Sequence, residues 1–407
     1  MTNIEQSYPR GFYPRLALLA VGLFIVGTNA FVIAGLLPDI AATLDVPLGA
    51  VSYSITFYAI VVAVAAPAVA ILLPRLSRTT LMALGLVLIA LGTAAAAGSD
   101  TLALFTAGRI VAGLGGAALV PAATAAAASL APPEKRGRAI AFVLLGFTAA
   151  TALGSPLGTA LGAVGGWQLP LLIVAALAAV LAVLVALFVR QIPLGHPVSL
   201  KARFAPLADP RIVLALGAAL FMTAGFNIVY IFSAEVTAGA TGGDGTLLAV
   251  LLLVYGLAGT VGNVGAGFLT DRLGNRRTAS IFFVIHLAAL VVLPIIDLNY
   301  LATAAVFAVW GVAAFAAVPP VQHRLISIEP AASGVALSWY TTAMYLGIAI
   351  APPVGAAALA AGGAQAIPDF GAVAVALALL LFQLGYVVRR RSRAPLRPLA
   401  AQTSTKV

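Results

Sequence analysis

Arg109 is an isolated cation inside a long apolar stretch that covers residues 101–122. In a helix that begins near Thr101, a rise of 1.5 Å per residue places Arg109 roughly 12 Å along the axis. A cation at that depth in a membrane is costly and by default marks a functional site or a buried pair. Two interpretations stay open: Arg109 holds a substrate anion or responds to proton movement, or it pairs structurally with carbonyl groups or with Asp39.

Polar but uncharged side chains lie within two other apolar stretches, in the first of them at mid-depth. The first stretch carries Thr28 and Asn29, and the seventh carries Asn227 and Tyr230. Amide and phenol groups can orient a neutral ligand without the desolvation penalty of a buried charge. If the two stretches occupy equivalent positions, these four side chains face one another across a cavity. The alternative is that they form the hydrogen bonds between helices that are common in membranes.

Carboxylates that could carry protons are scarce in this sequence. Among its 12 acidic residues only Asp39, Glu235 and Asp271 lie close to the ends of apolar stretches with a route to a cavity. Asp39 follows Pro38 at the end of the first stretch, so its environment would change if Arg109 approached it. We predict that Asp39 is the proton-carrying residue; the alternative is a solvated carboxylate at a helix end.

The sequence lacks the residue patterns that are typical of enzymes and metal sites. The chain has no cysteine, and its histidines, His196, His286 and His323, form no pair at metal-ligand spacing. None of the three lysines follows a glycine, as a phosphate-binding P-loop requires. We therefore predict no metal, no cofactor, no ATP-driven step and no catalytic role for the histidines, so the chain is not an enzyme.

Membrane-spanning helices must position these residues. Of the 407 residues 62% are hydrophobic and 8% are charged, whereas soluble domains have roughly 45–50% and about 25%. A span needs about 20 mainly apolar residues. Twelve such stretches are present, near 16–38, 50–74, 79–98, 101–122, 139–162, 167–189, 212–234, 247–270, 278–296, 301–321, 333–358 and 370–388. The predicted fold class is an all-α polytopic membrane protein.

The basic residues define the orientation of the spans. All of the 22 Lys and Arg residues except Arg109 lie at the N-terminus, in the loops after even-numbered spans, or at the C-terminus. The positive-inside rule therefore places both termini in the cytoplasm, with the protein in the plasma (inner) membrane. The net charge of +10 is interpreted as topology signals and contacts with anionic lipids, not as binding to nucleic acid.

The sequence repeats itself at an offset of half its length. PRLSRTT (74–80) aligns with DRLGNRR (271–277), and LGSPLGTAL (153–161) aligns with IAPPVGAAA (350–358). Each copy holds six spans and begins on the same side, so the copies are parallel repeats. The predicted units form a monomer: a six-helix bundle over 1–189, a cytoplasmic linker over 190–211, a second bundle over 212–390 and a basic cytoplasmic tail over 391–407.

Four motifs, taken together and in this order of spans, resemble the major facilitator superfamily, in particular its twelve-span drug and metabolite efflux branch. They are GTNAFVIAGLLPDIA (27–41), RIVAGLGGAALVP (109–121), GFTAATALGSPLG (146–158) and GFLTDRLGNRR (267–277). The chain departs from the family at Ala30, where the branch often has Glu, and at Pro74 and Ser77 in the loop after the second span. The departure at Ala30 leaves the first span without a mid-depth carboxylate.

The resemblance implies roles for two residue clusters. Asp271, Arg272, Gly274 and Arg276 belong to a loop motif that stabilises one access state in that family. Gly154, Pro156 and Gly158 belong to the motif associated with exporters; from spacing alone the glycines serve close helix packing, and Pro156 offers a hinge.

The function that the resemblance implies is secondary-active, proton-coupled efflux of a small neutral or amphipathic molecule, such as a drug, sugar or related metabolite, by alternating access. The alternative is a facilitator or importer of a sugar or nucleoside with the same fold, which the scarcity of acids inside the spans favours.

Overall fold

The computed structural model describes residues 12–73, 76–132, 135–189, 192, 199–296 and 298–388. The tail predicted over 391–407 and Pro74 lie outside these residues, as does much of the linker predicted over 190–211. In the described part no residue is in a β-strand, and twelve helices are long and apolar enough to cross a membrane. The prediction of twelve spans is confirmed.

The twelve spans are named in chain order. They are α1 (Phe12–Thr43), α2 (Leu48–Leu72), α3 (Arg78–Ala97), α4 (Leu102–Leu130), α5 (Arg136–Gly165), α6 (Gln168–Phe188), α7 (Pro210–Ile231), α8 (Gly245–Leu273), α9 (Asn275–Ile296), α10 (Tyr300–Ile328), α11 (Ser333–Gly362) and α12 (Ala366–Val387). Several exceed the predicted runs, because a hydropathy run includes only the apolar part of a helix, whereas its end turns lie among polar headgroups or accommodate tilt.

Two spans are interrupted at prolines. In α5 a π-helical turn, Ala150–Gly154, precedes Pro156, and the Ser155 N–H bonds to the Ala150 carbonyl. Proline lacks an N–H and its ring crowds the carbonyl four residues earlier, so the wider turn relieves the clash. A π-turn thus lies directly on the N-terminal side of Pro156, where the sequence predicted a hinge. In α10, Ala317 separates Tyr300–Ala316 from Val318–Ile328.

Three shorter α-helices lie in the described connections between spans. Leu200–Phe204 precedes α7, and Ser233–Val236 and Ala238–Thr241 join α7 to α8. Trp339 of α11 donates a hydrogen bond to the Arg203 carbonyl at 2.8 Å, so the first of these helices packs on the C-terminal bundle.

The internal repeat is visible in the packing of the spans. Within the first six, α1 packs on α5, α2 on α4, and α3 on α6; within the last six, α7 packs on α11, α8 on α10, and α9 on α12. Each of these three contacts in one half thus recurs in the other, displaced by six spans. The two six-helix halves are parallel repeats, as the sequence offset predicted.

The most extensive contacts between the halves are along two helix pairs, α2 with α11 and α5 with α8. A displacement of six spans converts one pair into the other. On the first pair, the Thr56 hydroxyl donates to the Ala349 carbonyl at 2.8 Å. On the second pair, Gly256 lies so close to α5 that a Cβ there would come within 2.3 Å of the Ala152 Cα. The interface between the halves therefore includes backbone as well as side-chain contacts.

Contacts between α5 and α8 are confined to one part of the bundle. We call the end that holds Arg136 and Arg272 the basic end. Near the opposite end, a Cβ on Gly245 would lie 3.1 Å from the Ala163 Cβ. On the same face of α8 but nearer the basic end, Gly267 has nothing within 4 Å of an added Cβ. The α5–α8 contact therefore ends before the basic end.

We expect the basic end to face the cytoplasm, because its loops carry the cations. The chain has no cysteine, so Arg393→Cys and Asp100→Cys each introduce a single thiol on opposite predicted sides. A membrane-impermeant maleimide added to intact cells should label the Asp100→Cys variant and leave Arg393→Cys unlabelled until the cells are opened. Labelling of Arg393→Cys in intact cells would contradict the predicted orientation.

Candidate functional site

Arg109 lies in a polar cluster formed by α1, α3 and α4. Its side chain is 1% exposed. One terminal nitrogen, NH1, donates to the Asn29 carbonyl at 2.7 Å and also to the Asn29 side-chain oxygen. The Asn29 amide nitrogen in turn donates to the Thr93 hydroxyl. Of the two structural partners considered for Arg109, the structure shows the carbonyl and not the Asp39 carboxylate.

The rest of the Arg109 guanidinium has no hydrogen-bond partner among the described residues. Its Nε and NH2 atoms are buried and unpaired, and so is the hydroxyl of Tyr58, whose ring lies 4.5 Å from the Arg109 Cζ. A cation over an aromatic face is stabilised by the ring quadrupole. Unused donors on a buried cation can bind an acceptor group once it comes within reach.

Thr28 faces α5 and not α7. A Cβ on Gly154 would approach the Thr28 hydroxyl to 2.0 Å, so the two helices are as close as a glycine permits. The same relation repeats along α5, where added Cβ atoms on Gly158 and Gly162 would each lie 2.3 Å from the side chains of Val32 and Leu36. Side chains of α1 thus fill a groove in α5, which is a packing arrangement of the small-residue type.

The two polar residues of α7 have different surroundings. Asn227 is fully buried; its amide donates to the Thr223 carbonyl of its own helix at 2.9 Å, and its side-chain oxygen has no partner among the described residues. Tyr230 reaches the other half, where its hydroxyl bonds to the Ser155 hydroxyl at 2.9 Å. Of the four residues expected to meet across a cavity, Tyr230 alone has a side-chain hydrogen bond to the opposite half among the described residues.

Ser155 is a site residue that sequence reasoning missed. It lies at the end of the π-turn in α5 and also donates to the Phe31 carbonyl at 3.1 Å. A hydrogen-bonding residue between Gly154 and Pro156 is the signal in the sequence that could have identified it. Ser155 links α1, α5 and α7 at the level where the two halves meet.

Aromatic rings surround this junction. Phe31 packs edge-to-face against Phe147 and Tyr230, with ring centroids 5.7 and 5.9 Å apart. On the C-terminal side Phe226 lies 6.2 Å from Phe315. Phe147, Phe226 and Phe315 are partly exposed, unlike the fully buried core rings. The junction therefore presents apolar aromatic surface together with the hydroxyls of Tyr230 and Ser155.

Asp39 lies on the exposed surface at the end of α1 away from the basic end. It is ten residues beyond Asn29, which corresponds to roughly 15 Å along a helix. Since Asn29 holds Arg109, Asp39 is remote from the guanidinium in this conformation.

The loop motif lies at the basic end. Asp271 and Arg272 are exposed, and the Asp271 carboxylate forms no hydrogen bond or ion pair with a described residue. Gly274 ends α8 with φ at 79°, a value that favours glycine. Arg276 donates to the Gln383 side chain at 2.7 Å and lies over the Tyr386 ring. The motif is thus attached to α12 through Arg276, and Asp271 is unengaged.

The comparisons with known proteins agree with this arrangement. The family model of the Major Facilitator Superfamily matches residues 19–328 and 214–406. The chain is 29% identical to the uncharacterized MFS-type transporter YbcL of Bacillus subtilis (strain 168), over 90% of this chain and 94% of that protein.

Two further relatives have similar coverage. The chain is 31% identical to the inner membrane transport protein YdhP of Escherichia coli O157:H7, over 91% of this chain and 95% of that protein. It is 32% identical to a chloramphenicol resistance protein of Streptomyces lividans, over 84% of this chain and 88% of that protein.

Solved structures share the fold at low identity. A bacterial homolog of the human lysosomal transporter Spinster, in an inward-facing and occupied conformation, has a TM-score of 0.74 and 16% identity and covers 95% of this chain and 100% of its own. The nucleoside transporter NupG has a TM-score of 0.73 and 13% identity. The match covers 92% of this chain and 99% of the NupG chain.

Proposed function

This chain belongs to the major facilitator superfamily, and from that premise we propose that it exports a small neutral or amphipathic molecule in exchange for protons. It is a multi-pass membrane transporter in which the two six-helix halves alternate access to a central site. The site lies at the junction of Phe31, Ser155 and Tyr230.

This proposal rests on one observation: the two halves are in contact at only one end of the α5–α8 pair. The pair α5–α8 touches from Gly245 to Gly256 and is apart at Gly267. Contact at one end and separation at the other is the geometry of one access state. Rocking about the junction would exchange the two ends, and the aromatic surface there would then face the opposite side.

The chemistry of the junction supports a neutral or amphipathic substrate. Phe147, Phe226 and Phe315 offer apolar surface, and the hydroxyls offer a few polar contacts, the usual composition of a small-molecule site. The described residues place no carboxylate there. The chloramphenicol resistance relative supports a drug-like substrate, and the unpaired nitrogens of Arg109 provide donors for an acceptor group in another access state.

We place the transporter in the plasma (inner) membrane as a monomer with cytoplasmic termini. The cations of the basic end, including Lys135 and Arg136, would then contact anionic headgroups of the inner leaflet.

The test uses inside-out vesicles that contain the full-length chain, with candidate drugs and nucleosides added to the external medium, with and without an imposed pH gradient. Export in cells corresponds to uptake by these vesicles, and a proton-coupled exporter should concentrate its substrate only when the gradient is present. Flux that equilibrates a sugar or nucleoside and ignores the gradient would replace this proposal with the facilitator. That alternative is favoured by the lack of Asp or Glu at mid-span and by the fold shared with a nucleoside transporter.

Asp39→Asn is expected to abolish gradient-driven accumulation while preserving downhill exchange, because the amide keeps the shape of the carboxylate and cannot release a proton. The matched control is Asp45→Asn, at another exposed carboxylate of the same end, which should accumulate substrate normally. Accumulation by Asp39→Asn with an unchanged pH dependence would show that Asp39 does not carry the proton.

A further inference from the structure

His286 is a buried histidine in the middle of α9 that the proposed transport cycle does not use. Both His286 and its neighbour Trp310 of α10 are 0% exposed. The indole nitrogen of Trp310 donates to the Nε2 atom of His286 at 3.0 Å. The other ring nitrogen, Nδ1, has no hydrogen-bond partner among the described residues.

This contact determines the protonation state of the imidazole. An indole N–H can only donate, so Nε2 must present a lone pair and the ring proton must be on Nδ1. Adding a proton at Nε2 would point two N–H donors at each other. His286 therefore cannot bind a proton while Trp310 keeps its present position.

Trp310 is connected by aromatic contacts to the junction of the halves. Its ring lies 4.4 Å from that of Tyr255 on α8, and Tyr255 lies 5.4 Å from Tyr230. Tyr230 holds Ser155 of the other half. A displacement of Trp310 would reach the interface through two ring contacts and one hydrogen bond.

The helices packed around His286 offer no carboxylate or second imidazole at mid-span for this role. The helices packed on α9 are α8, α10 and α12, and their only titratable side chain at mid-span is Tyr255. The other titratable residues of these four helices lie near the helix ends: Asp271, Arg272, Arg276, Arg277, Tyr300, His323, Arg324, Asp369 and Tyr386. A buried ionisable residue inside a transporter is by default a candidate for proton movement.

We propose that His286 is a proton-binding residue of this transporter and that its protonation displaces Trp310 and loosens the Tyr230–Ser155 contact between the halves. The proposal extends the proton-coupled function proposed above. From the sequence we predicted no catalytic role for His286, because the histidines form no pair at metal-ligand spacing; its contact with Trp310 is seen only in the structure.

The test follows Trp310 fluorescence in the full-length protein in lipid nanodiscs. Trp167→Phe and Trp339→Phe together leave Trp310 as the only tryptophan of the three. Because a proton at Nε2 requires Trp310 to move, its emission should change in one step as the pH falls below about 6.5, the ordinary pKa of histidine. His286→Gln, which can still accept from the indole, should remove the step completely. If the double-Phe background does not fold, the difference between wild type and His286→Gln is read with all three tryptophans.

Emission that is independent of pH, or a step that persists in His286→Gln, would overturn the proposal. The vesicle assay separates this result from the proposed function. A His286-dependent step in a protein whose flux ignores the pH gradient would support proton binding and refute proton-coupled export. In a coupled transporter, His286→Gln should also flatten the pH profile of exchange, whereas the exposed His323→Gln should not.

Discussion

Replacing Arg109 with alanine is expected to reduce transport by about 10- to 100-fold, the equivalent of the 1.5–3 kcal/mol that a hydrogen bond to a charged group contributes. The guanidinium holds Asn29 of α1 and lies over Tyr58 of α2. Its loss would leave the Asn29 carbonyl without that donor and remove the unpaired donors proposed to act in another access state. The measurement is initial flux in vesicles with equal amounts of protein.

Arg109→Lys is expected to restore only part of the flux. An ammonium keeps the charge but lacks the planar guanidinium that lies over Tyr58 and the Nε and NH2 donors that are unpaired in this conformation. The control is Arg138→Ala, an exposed cation at the basic end, which should leave flux unchanged. Normal flux in Arg109→Ala would instead mean that Arg109 has a purely structural role.

Gly256→Ala is expected to force α5 and α8 apart where the halves touch. The new methyl group would lie 2.3 Å from the Ala152 Cα and 2.8 Å from the Thr151 carbonyl oxygen. Backbone atoms at such distances cannot adjust by rotating a side chain. Overpacking of this kind costs about 1–3 kcal/mol, so the present access state should lose population by roughly 5- to 150-fold relative to the alternative.

The same helix provides a matched control. An added Cβ at Gly267 has nothing within 4 Å, so Gly267→Ala should leave the equilibrium unchanged. The reporter is Ala349→Cys, a buried position on the α2–α11 contact, modified by a maleimide added from the side opposite the basic end. Gly256→Ala should accelerate this modification, and Gly267→Ala should not. Equal rates in the two variants would show that the close contact at Gly256 does not maintain the present access state.

The residues of the candidate site differ in how far the sequence could identify them. Arg109 was identifiable because a cation inside an apolar run by default marks a functional site or a buried pair. Tyr230 was identifiable as a polar group within an apolar stretch, although its partner Ser155 was missed. For Thr28 and Asn29 the sequence indicated a position along the first span but not the direction in which each side chain points. Thr28 faces Gly154 of α5, and Asn29 contacts Arg109 of α4.

The π-turn over Ala150–Gly154 illustrates why the sequence could not predict the direction in which side chains point. Pro156 indicated a distortion of α5, but the extra residue in the turn rotates every side chain that precedes it relative to those that follow. A hydropathy pattern is nearly uniform around a helix buried in lipid and protein, so it contains little information on which face meets which neighbour.

The sequence by itself determined the twelve spans and the parallel duplication. Each span depends on the summed transfer free energy of about 20 residues, and the duplication depends on a repeat of half the chain. Both average over many residues, so an error at any one position changes neither. Only the tertiary structure decided which polar groups meet, including the pairs Tyr230–Ser155 and Trp310–His286. The physical reason is that a hydrogen bond depends on a few tenths of an ångström and on helix rotation, and residues far apart in the chain set both.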